Sequence, residues 1–206
     1  PVRMVHGQVN PPTLDLANRE LIQSHLHAIW LSETGQKLDN SICGLLDMNQ
    51  AKTPILPNLQ DNLDMPAAKL RAHHRGLSIL NMLQDELTKV KAPWYSERWA
   101  ESVFQRAFHE FDHVLDRWRE LFRATTRQMD INQKVMNTPS ATERERRDAK
   151  QRHDEAFRQR EILLQQGSSQ NSDFYTYRYL ASQGFLPGYN FPRLPLMAYI
   201  PARKGR

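Results

Sequence analysis

The 206-residue chain has one cysteine, eight glycines and no uninterrupted apolar stretch near the roughly 18 residues that a membrane-spanning helix needs. A single cysteine, Cys43, excludes an internal disulfide and fits a reducing compartment, so a cytoplasmic location is expected. No charged-then-apolar leader with a small-residue cleavage site opens the chain, and it starts without Met, which suggests a piece of a longer protein. The pattern G-x-x-x-x-G-K-S/T does not occur, so no loop of this sequence can cradle a triphosphate in that way. Acidic residues are missing altogether after Asp173.

That last absence explains the charge. Twenty-eight Lys and Arg stand against 23 Asp and Glu, for a formal +5, yet residues 1 to 173 hold 23 of each sign. The excess is Arg178, Arg193, Arg203, Lys204 and Arg206. The same last 33 residues contain eight of the 18 aromatics, among them Tyr175 and Tyr179, so a neutral body carries a basic, aromatic end. Only 39% of residues are hydrophobic and the mean hydropathy is -0.70. This is polar for a compact globule and too aromatic for a disordered chain, and long, partly exposed helices reconcile the two.

Residues 1 to 10 alternate like one short strand, which Pro11 and Pro12 end. Residues 1–17 are therefore expected to be an extended arm, or a strand that pairs with something outside the neutral body. A helical subdomain is expected over 18–95. Asn18 suits a cap, Leu21, Ile22, Leu26, Ile29 and Trp30 recur at helical spacing, and Gly35 suits a stop. A short helix over 40–47, a loop over 48–66 and a helix from Pro66 to Val90 follow. Gly76 weakens the last by about 1 kcal/mol relative to Ala.

Residues 96–166 read as a long helical hairpin. Its first arm runs from a Ser96 cap to about Met136, with Val103, Phe104, Ala107, Phe108, Phe111, Val114, Leu115, Trp118, Leu121 and Phe122 on one broad stripe. Pro139 breaks it, and Ser140 with Glu143 suggests a capping box for a second, highly charged arm reaching Gln166. Residues 167–206 are a linker, a short helix over 173–182 closed by Gly184, and an extended, proline-spaced segment with a strand expected near 196–200. The fold class is mainly α, with a long antiparallel hairpin and an extended C-terminal segment.

Four motifs resemble chemistry. His109-Glu110-Phe111-Asp112-His113 fits H-E-x-x-H, in which two His bind zinc and the Glu activates water. On the helical wheel, however, His109 and His113 lie opposite the aromatic stripe with Asp116 and Glu120, as a solvated face does. Asp154-Glu155-Ala156-Phe157 looks like a DEAD-type box, but so charged a helix cannot be the buried strand that box requires. His73-His74 and His25-x-His27 point to different helix faces and cannot share one metal. Cys43, in an apolar run, is a small core residue. No catalytic and no metal-binding residue is therefore assigned. The tail carries the better physical case: basic side chains neutralise phosphates and aromatic rings stack bases. Tyr175, Tyr179, Arg178, Arg193, Arg203, Lys204 and Arg206 are candidate nucleic-acid contacts, with docking of the aromatic segment onto a neighbouring domain as the compatible alternative.

Residues 11–35, PPTLDLANRELIQSHLHAIWLSETG, and 172–201, SDFYTYRYLASQGFLPGYNFPRLPLMAYIP, resemble an internal region of large bacterial superfamily 2 DEAD/DEAH-box helicases. These include relatives with a C-terminal zinc-binding MZB-type domain and the DrmA-like helicases of anti-phage defence. The resemblance implies an accessory, non-motor region. It would brace two preceding RecA-like motor domains against a following C-terminal domain and help guide DNA, with a protein partner in a defence complex. ATP and Mg are implied for the parent hydrolase, and none in this region. A non-enzymatic coiled-coil module that recruits a protein partner is the alternative.

Overall fold

A computed structural model of the chain describes residues 18–89, 91–165 and 175–188. The strands expected at 1–10 and 196–200, Arg193, Arg203, Lys204 and Arg206 lie outside these residues. The fold is mainly α. Among the described residues the only β pairing is a bridge between Leu46 and Ile55.

Helix α1 spans Arg19–Thr34 because both ends are chemically marked. The Asn18 carboxamide accepts from the Leu21 N–H at 3.0 Å, and Gly35 takes the left-handed conformation (φ 65°) that closes the helix. Its buried face is Ile22, Leu26, His27, Trp30 and Leu31. A 3-10 turn at Ile42–Leu45, capped by Ser41, replaces the short helix expected over 40–47. The expected loop over 48–66 contains α2 (Pro57–Leu63), because Pro57 presets the first turn while Leu59 and Leu63, one turn apart, are both buried.

Helix α3 (Pro66–Met82) ends before the predicted Val90. The Leu83 N–H is shared between the Ile79 and Leu80 carbonyls, and this tightened turn redirects the chain into α4 (Gln84–Lys89), which buries Leu87. The Ser96 hydroxyl accepts from Trp99 N–H and starts α5 (Glu97–Val114). Helices α1, α3 and α5 pack mutually around Leu26, Trp30, Leu80, Phe104 and Phe111. Burial of each of the larger side chains contributes roughly 1.5–3 kcal/mol. Gly76 is the point of closest approach: a Cβ there would lie 2.5 Å from Phe104 Cζ and 3.3 Å from a Leu26 methyl. The glycine that weakens α3 as an isolated helix is what lets it sit against α1 and α5.

The helix expected to run unbroken from Ser96 to Met136 is divided at Leu115. Helix α6 (Asp116–Asn137) starts there, so α5 belongs to the three-helix head and only residues 116–165 form the hairpin. Helix α7 (Glu143–Gln165) returns along α6. Its capping box is Thr142 with Glu145, not Ser140 with Glu143. Thr142 N–H donates to Glu145 Oε2 at 2.7 Å, and Glu145 N–H donates to Thr142 Oγ1 at 3.2 Å. The first motif-like pair lost because Pro139 and Ser140 sit in the turn before the helix. Helix α8 (Tyr175–Ser182) ends at Gly184 (φ 79°), where Phe185 and Leu186 N–H both reach the Leu180 carbonyl.

Candidate interaction surface

The residues expected to contact nucleic acid in α8 face the protein instead. Arg178 and Tyr179 are 8% and 7% exposed, and Tyr175 is half-buried with its ring 6.5 Å from that of Tyr179. Burial, with smaller contributions from Tyr179 and Cys43, pushes the Tyr175 phenol up to about 12. The helix is tied down along its length: Thr176 N–H donates to the Asn40 carbonyl, and Tyr177 Oη accepts from Leu38 N–H. Arg178 and Tyr179 are thus covered within the chain, and in α8 the tyrosine rings dock on the head.

The segment after α8 is anchored at His27. The Phe185 ring stacks on the imidazole at 4.3 Å and meets Trp30 and Phe111 edge-on, while His27 Nδ1 lies 3.1 Å from the Phe185 carbonyl. His27 Nε2 is 3.3 Å from Glu110 Oε2, an ion-contact distance off the line of a good hydrogen bond. Gln23 donates to the same oxygen at 2.7 Å. His27, opposed by burial and aided by Gln23 and Arg106, holds the Glu110 carboxyl below the usual range. Glu110 therefore turns inward to a structural contact. His113 pairs with Asp116 at 2.9 Å on the outer face. No cluster of metal-ligating side chains occurs among the described residues.

The break at Leu115 is built by two side chains remote from each other in sequence. The Tyr179 hydroxyl donates to the Val114 carbonyl at 3.2 Å, and the Trp118 backbone N–H is directed at that hydroxyl oxygen. A phenol thus occupies the i to i−4 step between Val114 and Trp118, a known way of bending a helix. Arg119, 4% exposed, fills the other side. Its Nε donates to the Thr53 carbonyl at 2.9 Å, and Nη1 donates to the Asp112 carbonyl at 2.9 Å and to Asp116 Oδ1 at 2.7 Å. Nη2 bonds the Asp112 carboxylate. Burial works against ionised Asp116, but Arg119 and His113 outweigh it and keep its pKa low. One guanidinium thus joins α5, α6 and the Thr53 turn of the head. Cys43 Sγ at the Leu164 carbonyl (3.9 Å) and partly buried Leu163 tie the end of α7 to the same head.

Beyond this base the hairpin packs chiefly on itself. The α6 seam is Trp118, Phe122, Thr125, Met129, Asn132 and Met136, and the α7 seam is Arg146, Ala149, His153, Ala156, Arg160 and Leu163. Both alternate in steps of three and four, the coiled-coil period. Ala149 and Ala156 are buried, which lets the backbones approach closely, and at the base Trp118 and Phe122 stack with the Arg160 guanidinium 5.5 Å from the Phe122 ring.

A second row on α6 lies one residue off that seam: Leu121, Ala124, Gln128, Ile131 and Val135. Leu121 and Ile131 are each 49% exposed, although Leu121 was expected in the core-facing stripe. Leu121, Ala124 and Gln128 share a shallow groove of about 330 Å³ with Arg152, Glu155 and Gln159 of α7. An apolar face this wide exceeds what a two-helix hairpin uses. The sequence carried the signal, since the row repeats at three and four residues, but it merges there with the seam beside it. In comparisons with protein-family profiles, curated proteins and solved structures, nothing matches this chain.

Proposed function

We propose that this region is a non-catalytic interaction module in which the three-helix head holds the α6–α7 hairpin as a rigid arm for a helical partner. The observation that carries this reading is the outer row on α6, apolar, periodic and exposed on an arm whose base is locked by Arg119 and Tyr179. A helical partner laid along this row would bury Leu121, Ala124, Gln128, Ile131 and Val135, which recur at the three- and four-residue spacings by which helices read each other. Photo-crosslinking from residue 131 in the intact protein in its native cell tests it. A discrete adduct from residue 131, and none from residue 133, is expected. No adduct from either position contradicts it.

The second reading, an accessory arm of an ATP-driven DNA motor in anti-phage defence, is favoured by the same locked junction, because a lever must not swing at its base. The hairpin, residues 116–165, also carries twelve Lys and Arg against nine Asp and Glu, so what a whole-body count shows as neutral is locally basic. Under this reading the arm braces or separates strands while motor domains elsewhere supply hydrolysis. Arg117→Glu with Arg127→Glu in the full-length protein should then lower strand unwinding and leave ATP hydrolysis intact. Unchanged unwinding would count against it.

A further inference from the structure

The outer row of α6 is ordered so that it complements itself when reversed. We infer that the partner of the hairpin is a second copy of this chain, with α6 packed antiparallel on α6 about a two-fold axis at Gln128; this rests on the module reading above. In that arrangement a residue and its opposite have numbers that sum to about 256. Leu121 then faces Val135, Ala124 faces Ile131, and Gln128 meets its own counterpart, where two carboxamides can each donate and accept. Every large apolar residue of the row is opposed by an apolar one, the pattern that an isologous two-fold contact requires. Leu121 and Ile131, 49% exposed in the single chain, are the side chains covered.

The flanking charges favour the same register. Glu120, Arg127 and Lys134 line the outer edge of the row at seven-residue spacing and are all exposed. Reversal sets Glu120 opposite Lys134 of the second copy, twice, and leaves the Arg127 pair at the axis. A parallel pairing would put Glu120 on Glu120 and Lys134 on Lys134, three like-charge contacts instead of two ion pairs and one like contact. A slip by one heptad would set either Glu120 or Lys134 opposite Arg127, and in both cases it would bring the Gln128 carboxamide against an apolar residue, Leu121 or Val135. The polar centre thus fixes register, as a single polar residue in an apolar seam does elsewhere.

Sedimentation equilibrium of the full chain, with Cys43→Ala throughout, tests this. A dimer is expected, and Leu121→Asp with Ile131→Asp should raise its dissociation constant at least about tenfold. Glu120→Lys alone and Lys134→Glu alone should each weaken it by about fivefold, and the double variant should restore it, because only a two-fold antiparallel pairing regenerates both ion pairs. Gln128→Cys should oxidise to a covalent dimer, while His109→Cys, on the head, should not. A chain that stays monomeric up to high concentration, or a double swap that does not restore dimerisation, overturns the inference. A monomer that still crosslinks from residue 131 to a different protein overturns the second-copy proposal and leaves the module reading standing. Circular dichroism of each variant separates loss of pairing from loss of fold.

Discussion

Replacing Arg119 with Met should loosen the whole junction between head and hairpin. The methionine stem retains most of the aliphatic packing, so the change isolates the guanidinium. Four hydrogen bonds disappear. Their worth differs with where each acceptor lies. The Thr53 carbonyl belongs to a residue only 2% exposed and loses its donor, which costs about 1–3 kcal/mol. The Asp112 carbonyl keeps the Leu115 N–H at 3.1 Å and loses less. The carboxylates of Asp112 and Asp116 are 45% and 42% exposed and can rehydrate, so each contributes at most about 1 kcal/mol. The total is about 3 kcal/mol, or a drop of roughly 9 °C in midpoint for a domain of this size. Urea unfolding with an unchanged m-value reads it directly. Arg119→Lys keeps the charge without the planar fork and should recover about half. A variant Arg119→Met within about 0.5 kcal/mol of the parent would refute the assignment of this residue as the lock.

Gly76→Ala should destabilise by about 1–2 kcal/mol, although alanine is the better helix former, because its Cβ would press on the buried Phe104 ring; a gain in stability would show that the ring yields freely. Tyr179→Phe removes the hydroxyl from the Val114–Trp118 step and should cost about 1 kcal/mol in the same unfolding assay; no change would mean that the helix recloses without penalty. Glu110 has a folded-state pKa below its unfolded one. Its contribution is therefore complete above about pH 4.5 and is lost as the pH falls below that. The urea midpoint should drop more steeply between pH 5 and 3 for the parent than for Glu110→Gln, and parallel curves would contradict the His27–Glu110 contact. Tyr175 has the opposite sign: its phenol ionises near 10 when unfolded and at about 12 when folded, so stability should decline as the pH rises from about 10. Tyr175→Phe should flatten that decline.

The helical content was legible because its marks are local. Asn18, Gly35, Ser96 and Gly184 each do in the structure what their residue types suggest, and the aromatic stripe of α5 is the face that enters the core. The division at Leu115 was not legible. Nothing around residues 112–118 breaks a helix by propensity, and the cause is a tyrosine about 65 residues away together with an arginine that reaches a turn at Thr53. Periodicity places Leu121 in the core for the same reason: without the break, the stripe of α5 runs on into α6. Gly76 appeared only as a weakness because its value depends on Phe104 and Leu26, which no periodicity brings to it. The aromatic, basic end looked like a ligand surface by composition. Composition does not distinguish rings that stack on bases from rings that dock, and in α8 they dock.

A rigid arm requires that the hairpin stand at one fixed attitude to the head. Pulsed electron–electron resonance between spin labels at Lys37, exposed on the head, and Asn137, at the hairpin turn, measures this in the full chain with Cys43→Ala. A single narrow distance distribution is expected, and it should broaden when Arg119→Met is added. A broad or multiple distribution with Arg119 and Tyr179 in place would refute this, because a hairpin that swings cannot serve as a rigid arm.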